Sequence, residues 1–149
     1  MNKTVVLCVG NRNGGDDAIG PFIRDQLLKH ESSDLICIDA GIAPENFTGV
    51  VKNHNPDHLI IVDAIEMDLF PGEIRRVPPD MIGVMHVSTH GIPLSVLIIY
   101  LKEFVECITL IGIQPEKMNG MLSETLKRSG EKVIQYILSD SFEKISTLS

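Results

Sequence analysis

Features that would indicate a membrane protein, a nucleic-acid-binding protein or a secreted protein are missing from this sequence. Its apolar runs all fall short of the roughly 20 residues that a membrane-spanning helix needs. Basic residues are too few to neutralise nucleic acid phosphates, because 13 lysines and arginines against 20 aspartates and glutamates give a net charge of −7. The first residues lead directly into a predicted strand, without a signal-peptide pattern. We therefore expect a cytoplasmic protein with neither membrane nor nucleic acid as a partner.

Paired cysteines and the common catalytic or nucleotide-binding motifs are also missing. Cys8, Cys37 and Cys107 are odd in number and each lie within an apolar run, which predicts buried free thiols and neither disulfides nor a metal site. No Gly-x-Ser-x-Gly motif supplies a serine nucleophile. The segment at Gly10 lacks the second glycine of a dinucleotide-binding loop, and no Gly-Lys-Ser/Thr of a phosphate-binding loop follows it.

The pattern that is present alternates short apolar strands with amphipathic helices. With 149 residues, 44% of them apolar, we expect one domain (1–149) with a frayed tail at 139–149. The alternation predicts an α/β fold, a three-layer α/β/α sandwich with helices on both faces of a mostly parallel, twisted five-stranded sheet. A short connection makes 73–77 an antiparallel edge strand. The expected order is strand 5–9, helix 19–27, strand 35–38, weak helix 43–51, strand 59–62, edge strand 73–77, helix 94–104, strand 108–113 and helix 122–137.

Two aspartates and a histidine stand beside breaks in these runs. Asp17 closes the glycine-rich segment after the first strand, Asp63 follows the third, and His90 precedes a helix. Loops at the carboxyl ends of parallel strands meet at one edge of the sheet, so we expect all three residues there. Two carboxylates and an imidazole that converge could bind a divalent metal with open coordination positions. Each residue also has an ordinary explanation as a cap or turn residue.

Neighbouring polar residues have expected roles of their own. One of Asp16 and Asp17 is expected to satisfy free amide groups near the helix start, which leaves the other carboxylate available for chemistry. His90 is expected to be neutral, because a helix N-terminus disfavours the imidazolium. Asp39 is expected to be a turn residue after the second strand, and His58, in polar surroundings, is expected to face solvent.

Short motifs in order along nearly the whole chain, from about residue 5 to residue 138, resemble the nickel-iron hydrogenase maturation endopeptidases. The Ala-Pro-Glu-Asn and Gly-Ile-Gln-Pro-Glu motifs are most similar to the branch that processes hydrogenase 3 of formate hydrogenlyase. The matching segments are Val9-Gly10-Asn11, Gly15-Asp16-Asp17-Ala18-Ile19-Gly20, Asp39-Ala40-Gly41, Ala43-Pro44-Glu45-Asn46, Val62-Asp63-Ala64, Pro71-Gly72-Glu73-Ile74, Ser88-Thr89-His90 and Gly112-Ile113-Gln114-Pro115-Glu116.

This resemblance implies an aspartyl-type endopeptidase that removes a C-terminal extension from a hydrogenase large-subunit precursor after nickel insertion. It implies that Asp17, Asp63 and His90 are the metal ligands and the catalytic residues. The nickel is expected to come with the substrate protein, and other divalent metals are expected to occupy the site in vitro. The hydrogenase precursor is the implied partner, and we expect a monomer because no exposed apolar stripe stands out in the sequence.

Two departures from the family pattern concern substrate choice and local contacts. The second strand ends in Asp39-Ala40-Gly41, where many relatives have Asp-Gly-Gly or Asp-Gly-Thr, and the resemblance implies that this segment binds the substrate. Arg12-Asn13 replaces a more apolar pair. The first departure leaves the identity of the cognate hydrogenase open, and the second leaves the contact made at this position open.

Two other classes of protein remain as alternatives. A phosphoacceptor receiver domain also carries an acidic pair after its first strand and an aspartate after its third. It needs a lysine after its fifth strand, however, whereas Gln114-Pro115-Glu116 precedes Lys117 here. A non-catalytic nickel-site chaperone would use the same aspartates and histidine without cleaving a peptide bond.

Overall fold

The sheet of this protein is built from four parallel strands and one antiparallel edge strand. The computed structural model describes residues 2–84, 86, 87 and 92–149. Its strands are β1 Thr4–Val9, β2 Leu35–Gly41, β3 His58–Glu66, β4 Ile74–Arg76, β5 His86–Val87 and β6 Cys107–Ile113. The parallel strands follow the order β2-β1-β3-β6, and β4 pairs antiparallel with β6 at the edge. This arrangement confirms the predicted fold class, to which the two-residue β5 adds an antiparallel pair at the end of β3.

Helices cover both faces of the sheet. The α-helices are α1 Ile19–Leu27, α2 Thr48–His54, α3 Leu94–Leu101 and α4 Glu124–Leu138. Short 3-10 turns occupy Gly15–Ala18, Leu28–His30, Pro44–Phe47, Pro79–Val84 and Phe142–Lys144. Ser123 caps α4, since its hydroxyl accepts a hydrogen bond from the Leu126 N–H at 3.3 Å. Among the described residues, no helix combines the length and apolar character required to cross a membrane.

Successive residues of β3 contact opposite helical layers, as the two-residue repeat of a strand requires. Ile61 and Ile65 pack in one core cluster with residues of α2 and α3, whereas Val62 and Ala64 pack in a second cluster with residues of α1 and α4. Asp63 is in phase with Ile61 and Ile65. Its side chain therefore lies on the α2–α3 face of the sheet.

Two strands are longer than expected. β3 continues to Glu66, so Asp63 lies within the strand, in register with Gly112 of β6. β2 runs on to Gly41, so the expectation that Asp39 is a turn residue is wrong. In both cases the backbone keeps pairing with neighbouring strands beyond the last apolar residue of the run, because hydrogen bonding between strands does not depend on apolar side chains.

The C-terminal tail is held against the edge strand. The Arg76 N–H donates to the Ser146 carbonyl oxygen at 2.9 Å, and the Leu148 N–H donates to the Arg76 carbonyl oxygen at 2.9 Å. The Arg76 Nε–H also donates to the Ile145 carbonyl oxygen at 2.8 Å. Ile145 and Leu148 are buried. The expectation of a frayed tail is therefore wrong for residues 145–148, because β4 offers an unpaired edge that the tail occupies.

Two expectations about single side chains need correction. Cys8 and Cys37 are buried, and burial raises the pKa of both thiols, but Cys107 is exposed because β6 begins there at the amino edge of the sheet. His58 is half-buried instead of facing solvent, with its Nε2 2.7 Å from the Thr109 hydroxyl oxygen. Burial lowers the pKa of His58, although the Asp140 carboxylate opposes this shift.

Helix α3 has an apolar outer face that was not predicted from the sequence. Leu97 and Leu101 are buried against the sheet, whereas Val96, Ile99 and Tyr100 on the other side are 51%, 68% and 40% exposed. The statement that no exposed apolar stripe stands out is therefore wrong. The apolar pattern of α3 runs nearly all the way round the helix, so periodicity alone does not reveal which side meets water.

Candidate active site at the carboxyl edge of the sheet

The loop between β1 and α1 folds tightly over the carboxyl end of β1. Gly10 has φ +146°, and a Cβ at this position would overlap the carbonyl oxygen of Asp17. Only glycine fits such a close approach of two backbone segments. The Asn11 N–H donates to Asp17 Oδ2 at 2.9 Å. The loop therefore fixes the Asp17 carboxylate beside the end of β1.

Asp17 and Asp63 are both removed from solvent at this edge. Asp17 is 5% exposed and Asp63 is 0% exposed. The Gly15–Ala18 turn that carries Asp17 lies against β3, which carries Asp63. His90, the third predicted ligand, lies outside the described residues, as do its neighbours 88, 89 and 91. Within the described part of the chain, no three His, Cys, Asp or Glu side chains are grouped so as to hold a metal ion.

Asp16 has a different role from its neighbour. Its Oδ2 accepts hydrogen bonds from the backbone N–H groups of Glu116 at 2.7 Å and Lys117 at 3.0 Å, and its Oδ1 accepts one from the Ser123 N–H at 2.8 Å. Burial opposes ionisation of this carboxyl, yet these three amides together outweigh burial and hold its pKa below the usual range. Asp16 thus satisfies amides, as expected of one of the pair, but these amides belong to the β6–α4 loop and not to the start of the following helix.

Arg12 links three segments at the same edge. Its guanidinium donates to both carboxylate oxygens of Asp25 on α1, at 2.8 and 3.0 Å, and to Asp39 Oδ2 on β2 at 2.7 and 3.2 Å. The Asp25 hydrogen bonds, followed by those of Asp39, raise the pKa of Arg12, and Arg12 in turn lowers the pKa of Asp25. In the sequence, Arg12 stands out only as a departure from the family pattern. Two acidic residues 13 and 27 positions away carry no local signal that they meet it.

The segment predicted to bind substrate is divided between surface and core. Asp39 Oδ1 accepts a hydrogen bond from the Gly41 N–H at 3.2 Å, and the Gly10 N–H donates to the Gly41 carbonyl oxygen at 2.8 Å. Ala40 points into the core and is only 3% exposed. Asp39 and Gly41 line a cleft of about 330 Å³ together with Gly10, Asn11, Arg12 and Ile42. The structure therefore offers Asp39 and Gly41, but not Ala40, to a ligand.

Gln114 supports the loop that follows β3. Its Oε1 accepts hydrogen bonds from the Met67 N–H at 2.7 Å and the Leu69 N–H at 3.2 Å, and its Nε2 donates to Glu66 Oε2 at 2.9 Å. The side chain is 4% exposed. The Gly-Ile-Gln-Pro-Glu motif thus contributes a buried amide that satisfies loop amides next to the Asp63 strand.

Comparison with known proteins gives the class of protein to which this chain belongs. The HycI family model, described as hydrogenase maturation protease, matches residues 24–140. The hydrogenase 3 maturation protease of Escherichia coli K12 is 42% identical over 134 residues, which cover 88% of this chain and 86% of that protein. The described fold and these matches place the chain among peptidases that act in hydrogenase maturation.

Solved structures agree with that class. The solution structure of the endopeptidase HycI from Escherichia coli superimposes with a TM-score of 0.90, 35% identity and coverage of 99% of this chain and 97% of that one. The crystal structure of a NiFe hydrogenase maturation protease HycI from Thermococcus kodakarensis KOD1 superimposes with a TM-score of 0.83 and 29% identity, and the match covers 96% of this chain and 94% of that one. The chain belongs to the hydrogenase maturation protease family. The comparisons support neither a receiver domain nor a metallochaperone.

Proposed function

We propose that this endopeptidase removes the C-terminal extension of a nickel-iron hydrogenase large-subunit precursor after nickel has been inserted. The observation that carries the proposal is the pair of buried carboxylates, Asp17 and Asp63, at the carboxyl edge of the sheet. They occur in a chain that belongs to the hydrogenase maturation protease family. The relative from Escherichia coli is named for hydrogenase 3. A hydrogenase of that type is the cognate substrate that we propose.

In this proposal the nickel belongs to the substrate. Asp17, Asp63 and His90 would complete the coordination of an ion that the precursor already holds. Carboxylate and imidazole donors suit first-row divalent metals, and three protein ligands leave positions for the ligands of the precursor. Other divalent metals should occupy the same donors in vitro. Cleavage would then depend on nickel, because the precursor is positioned through its metal.

The chain itself contributes two carboxylates held in fixed places. The hydrogen bond from the Asn11 N–H orients Asp17, and pairing of β3 with β6 fixes the backbone of Asp63. A carboxylate beside the scissile bond can accept the proton of an attacking water, so either residue is a candidate general base in an aspartyl-type reaction. Because both are buried, bulk water would compete little for the metal or for the proton.

We place this reaction in the cytoplasm and propose that the enzyme acts as a monomer. The three cysteines of the chain are free thiols, which is typical of proteins in a reducing compartment. The net charge of −7 disfavours nucleic acid as a partner. We propose no membrane partner.

The decisive experiment is processing of nickel-loaded precursor, with product masses read by mass spectrometry. The wild-type enzyme should give one shortened large subunit and one released peptide. Asp17→Ala, Asp63→Ala and His90→Ala should give neither while remaining folded. Glu131→Ala, on the exposed side of α4, is the matched control and should process normally. Unimpaired cleavage by all three site variants would contradict the proposed roles, and metal transfer without cleavage would favour a chaperone.

A further inference from the structure

The outer face of α3 belongs to a larger apolar surface, which we call the α3 patch. Its members Ile92, Val96, Ile99, Tyr100 and Phe104 are between 40% and 68% exposed. Helices on the surface of a globular protein normally carry polar residues on the side that meets water. Contiguous exposed apolar side chains of this kind mark sites of interaction with other proteins.

A groove runs along one side of the α3 patch. It has a volume of about 280 Å³ and is bounded by α3 on one side and residues 44–48 on the other. Glu45 lines this groove, and its Oε1 is buried without accepting a hydrogen bond from any residue that the structure describes. A buried carboxylate oxygen without a hydrogen bond costs free energy, and a hydrogen-bond donor on a bound ligand would recover it.

The far end of the α3 patch carries a positive charge. The Lys52 Nζ donates to the Tyr100 hydroxyl oxygen at 2.8 Å and lies 4.5 Å from the centre of the Phe104 ring. The surface therefore has an acceptor at Glu45, apolar side chains in the middle and a cation at the end. A ligand that matches it carries a donor, then apolar groups, and tolerates or complements a positive charge.

Both walls of the groove are close in sequence to segments that we propose to act at the active site. Residues 44–48 follow the proposed substrate-binding segment, residues 39–41, after two positions, and Ile92 follows His90 after one. The groove also lies on the α2–α3 face of the sheet, the same face as the side chain of Asp63. A polypeptide that reaches the carboxylates from this face would pass along α3.

We propose that the groove and the α3 patch bind the substrate protein beside its cleaved segment, through an apolar stretch of polypeptide that donates a hydrogen bond to Glu45. This inference rests on the proposed function, which requires a protein substrate. A second copy of the chain fits less well. Five exposed side chains are few against the roughly 20–30 residues that each side of a stable interface contributes. A patch of this size suits an enzyme that must release its product.

The test compares Ile99→Glu and Val96→Glu with Leu28→Glu in steady-state processing of nickel-loaded precursor. Leu28 is 43% exposed and follows α1 on the opposite layer, so its replacement adds the same charge to a matched apolar position. Each α3 variant should raise KM for the precursor about tenfold or more with kcat unchanged, as removal of a binding contact does. Glu45→Ala should raise KM in the same way, and Leu28→Glu should behave like wild type.

Binding and oligomeric state complete the test. Immobilised precursor should retain the wild-type and Leu28→Glu proteins and lose Ile99→Glu, while thermal melting should show all three folded. If wild type cleaves the precursor and both α3 variants do so with unchanged KM, the binding surface is refuted and the proposed function stands. If wild type does not cleave, the proposed function fails, and retention on the precursor still reports on the surface. A wild-type dimer that Ile99→Glu converts to a monomer would assign the patch to self-association and overturn the proposal.

Discussion

Replacement of Asp16 separates the structural member of the acidic pair from its neighbour. Asp16 is fully buried, and its two oxygens accept three backbone hydrogen bonds from a loop about 100 residues further along the chain. Asp16→Ala removes all three acceptors and leaves the amides of Glu116, Lys117 and Ser123 without their partner. Since these amides lie at both ends of the connection between β6 and α4, we expect the variant to be less stable, while its proposed active-site residues remain unchanged.

The size of this effect follows from the number of bonds. A net contribution of about 1–1.5 kcal/mol for each of the three hydrogen bonds gives a loss of about 3–4.5 kcal/mol in the free energy of unfolding. For a chain of 149 residues, each kcal/mol shifts Tm by about 2–4 °C, so the midpoint should fall by roughly 10 °C. Asp16→Asn keeps one acceptor oxygen and should lose about half as much.

The pH dependence provides an independent check of the same bonds. The pKa of Asp16 is lower in the folded protein than in the unfolded chain, so the stability that it supplies is fully present above the unfolded pKa of about 4. That stability is lost as the pH falls through the folded pKa. Wild type and Asp16→Ala should therefore differ most in urea denaturation near pH 7, and the difference should narrow as the pH falls below about 4.

Both measurements have clear contrary outcomes. Glu131→Ala should unfold like wild type, and Asp16→Ala should still process the precursor well below its own midpoint. An unfolding free energy within about 0.5 kcal/mol of wild type, or a difference that does not shrink in acid, would refute the assignment of Asp16 as an anchor of the β6–α4 loop.

Two further predictions concern the edge network and the tail. Arg12→Ala breaks the contacts with Asp25 and Asp39 and should lower the free energy of unfolding by about 1 kcal/mol at low salt, because single exposed ion pairs contribute little and networks of them contribute more. In about 1 M salt, the difference between variant and wild type should be smaller. A difference that salt leaves unchanged would contradict an ionic origin. Deletion of residues 145–149 exposes core surface and removes the backbone partners of Arg76, so the free energy of unfolding should fall by about 3 kcal/mol or more, and an unaltered urea midpoint would show that the tail is dispensable.

The fold was predictable because its signals are local. Runs of β-branched residues such as those in β1 and β3 indicate strands buried on both faces, and the helices between them require parallel pairing. The short connection through Pro71-Gly72 indicated the antiparallel edge strand, which pairs with β6. The motifs around Asp17 and Asp63 indicated the hydrogenase maturation protease family, which the comparisons confirm. The assignment of His90 stays a prediction.

Tertiary contacts decided which residue of the acidic pair satisfies amides and which residues Arg12 contacts. Asp16 and Asp17 are adjacent and chemically identical, so sequence could state only that one of them satisfies amides. Asp16 takes that role because the β6–α4 loop places three N–H groups against it. The partners of Arg12 likewise come from α1 and β2, at separations over which a local pattern carries no information.

The sequence by itself determined the strands, the helices, the edge of the sheet where polar residues gather and the family to which the chain belongs. Tertiary structure alone decided that the tail covers β4, that Cys107 is exposed and that α3 turns an apolar face outward. The physical reason is one of range. Backbone preference and periodicity act over a few residues, whereas burial depends on which distant segment packs against a given side, and for α3 both sides are apolar.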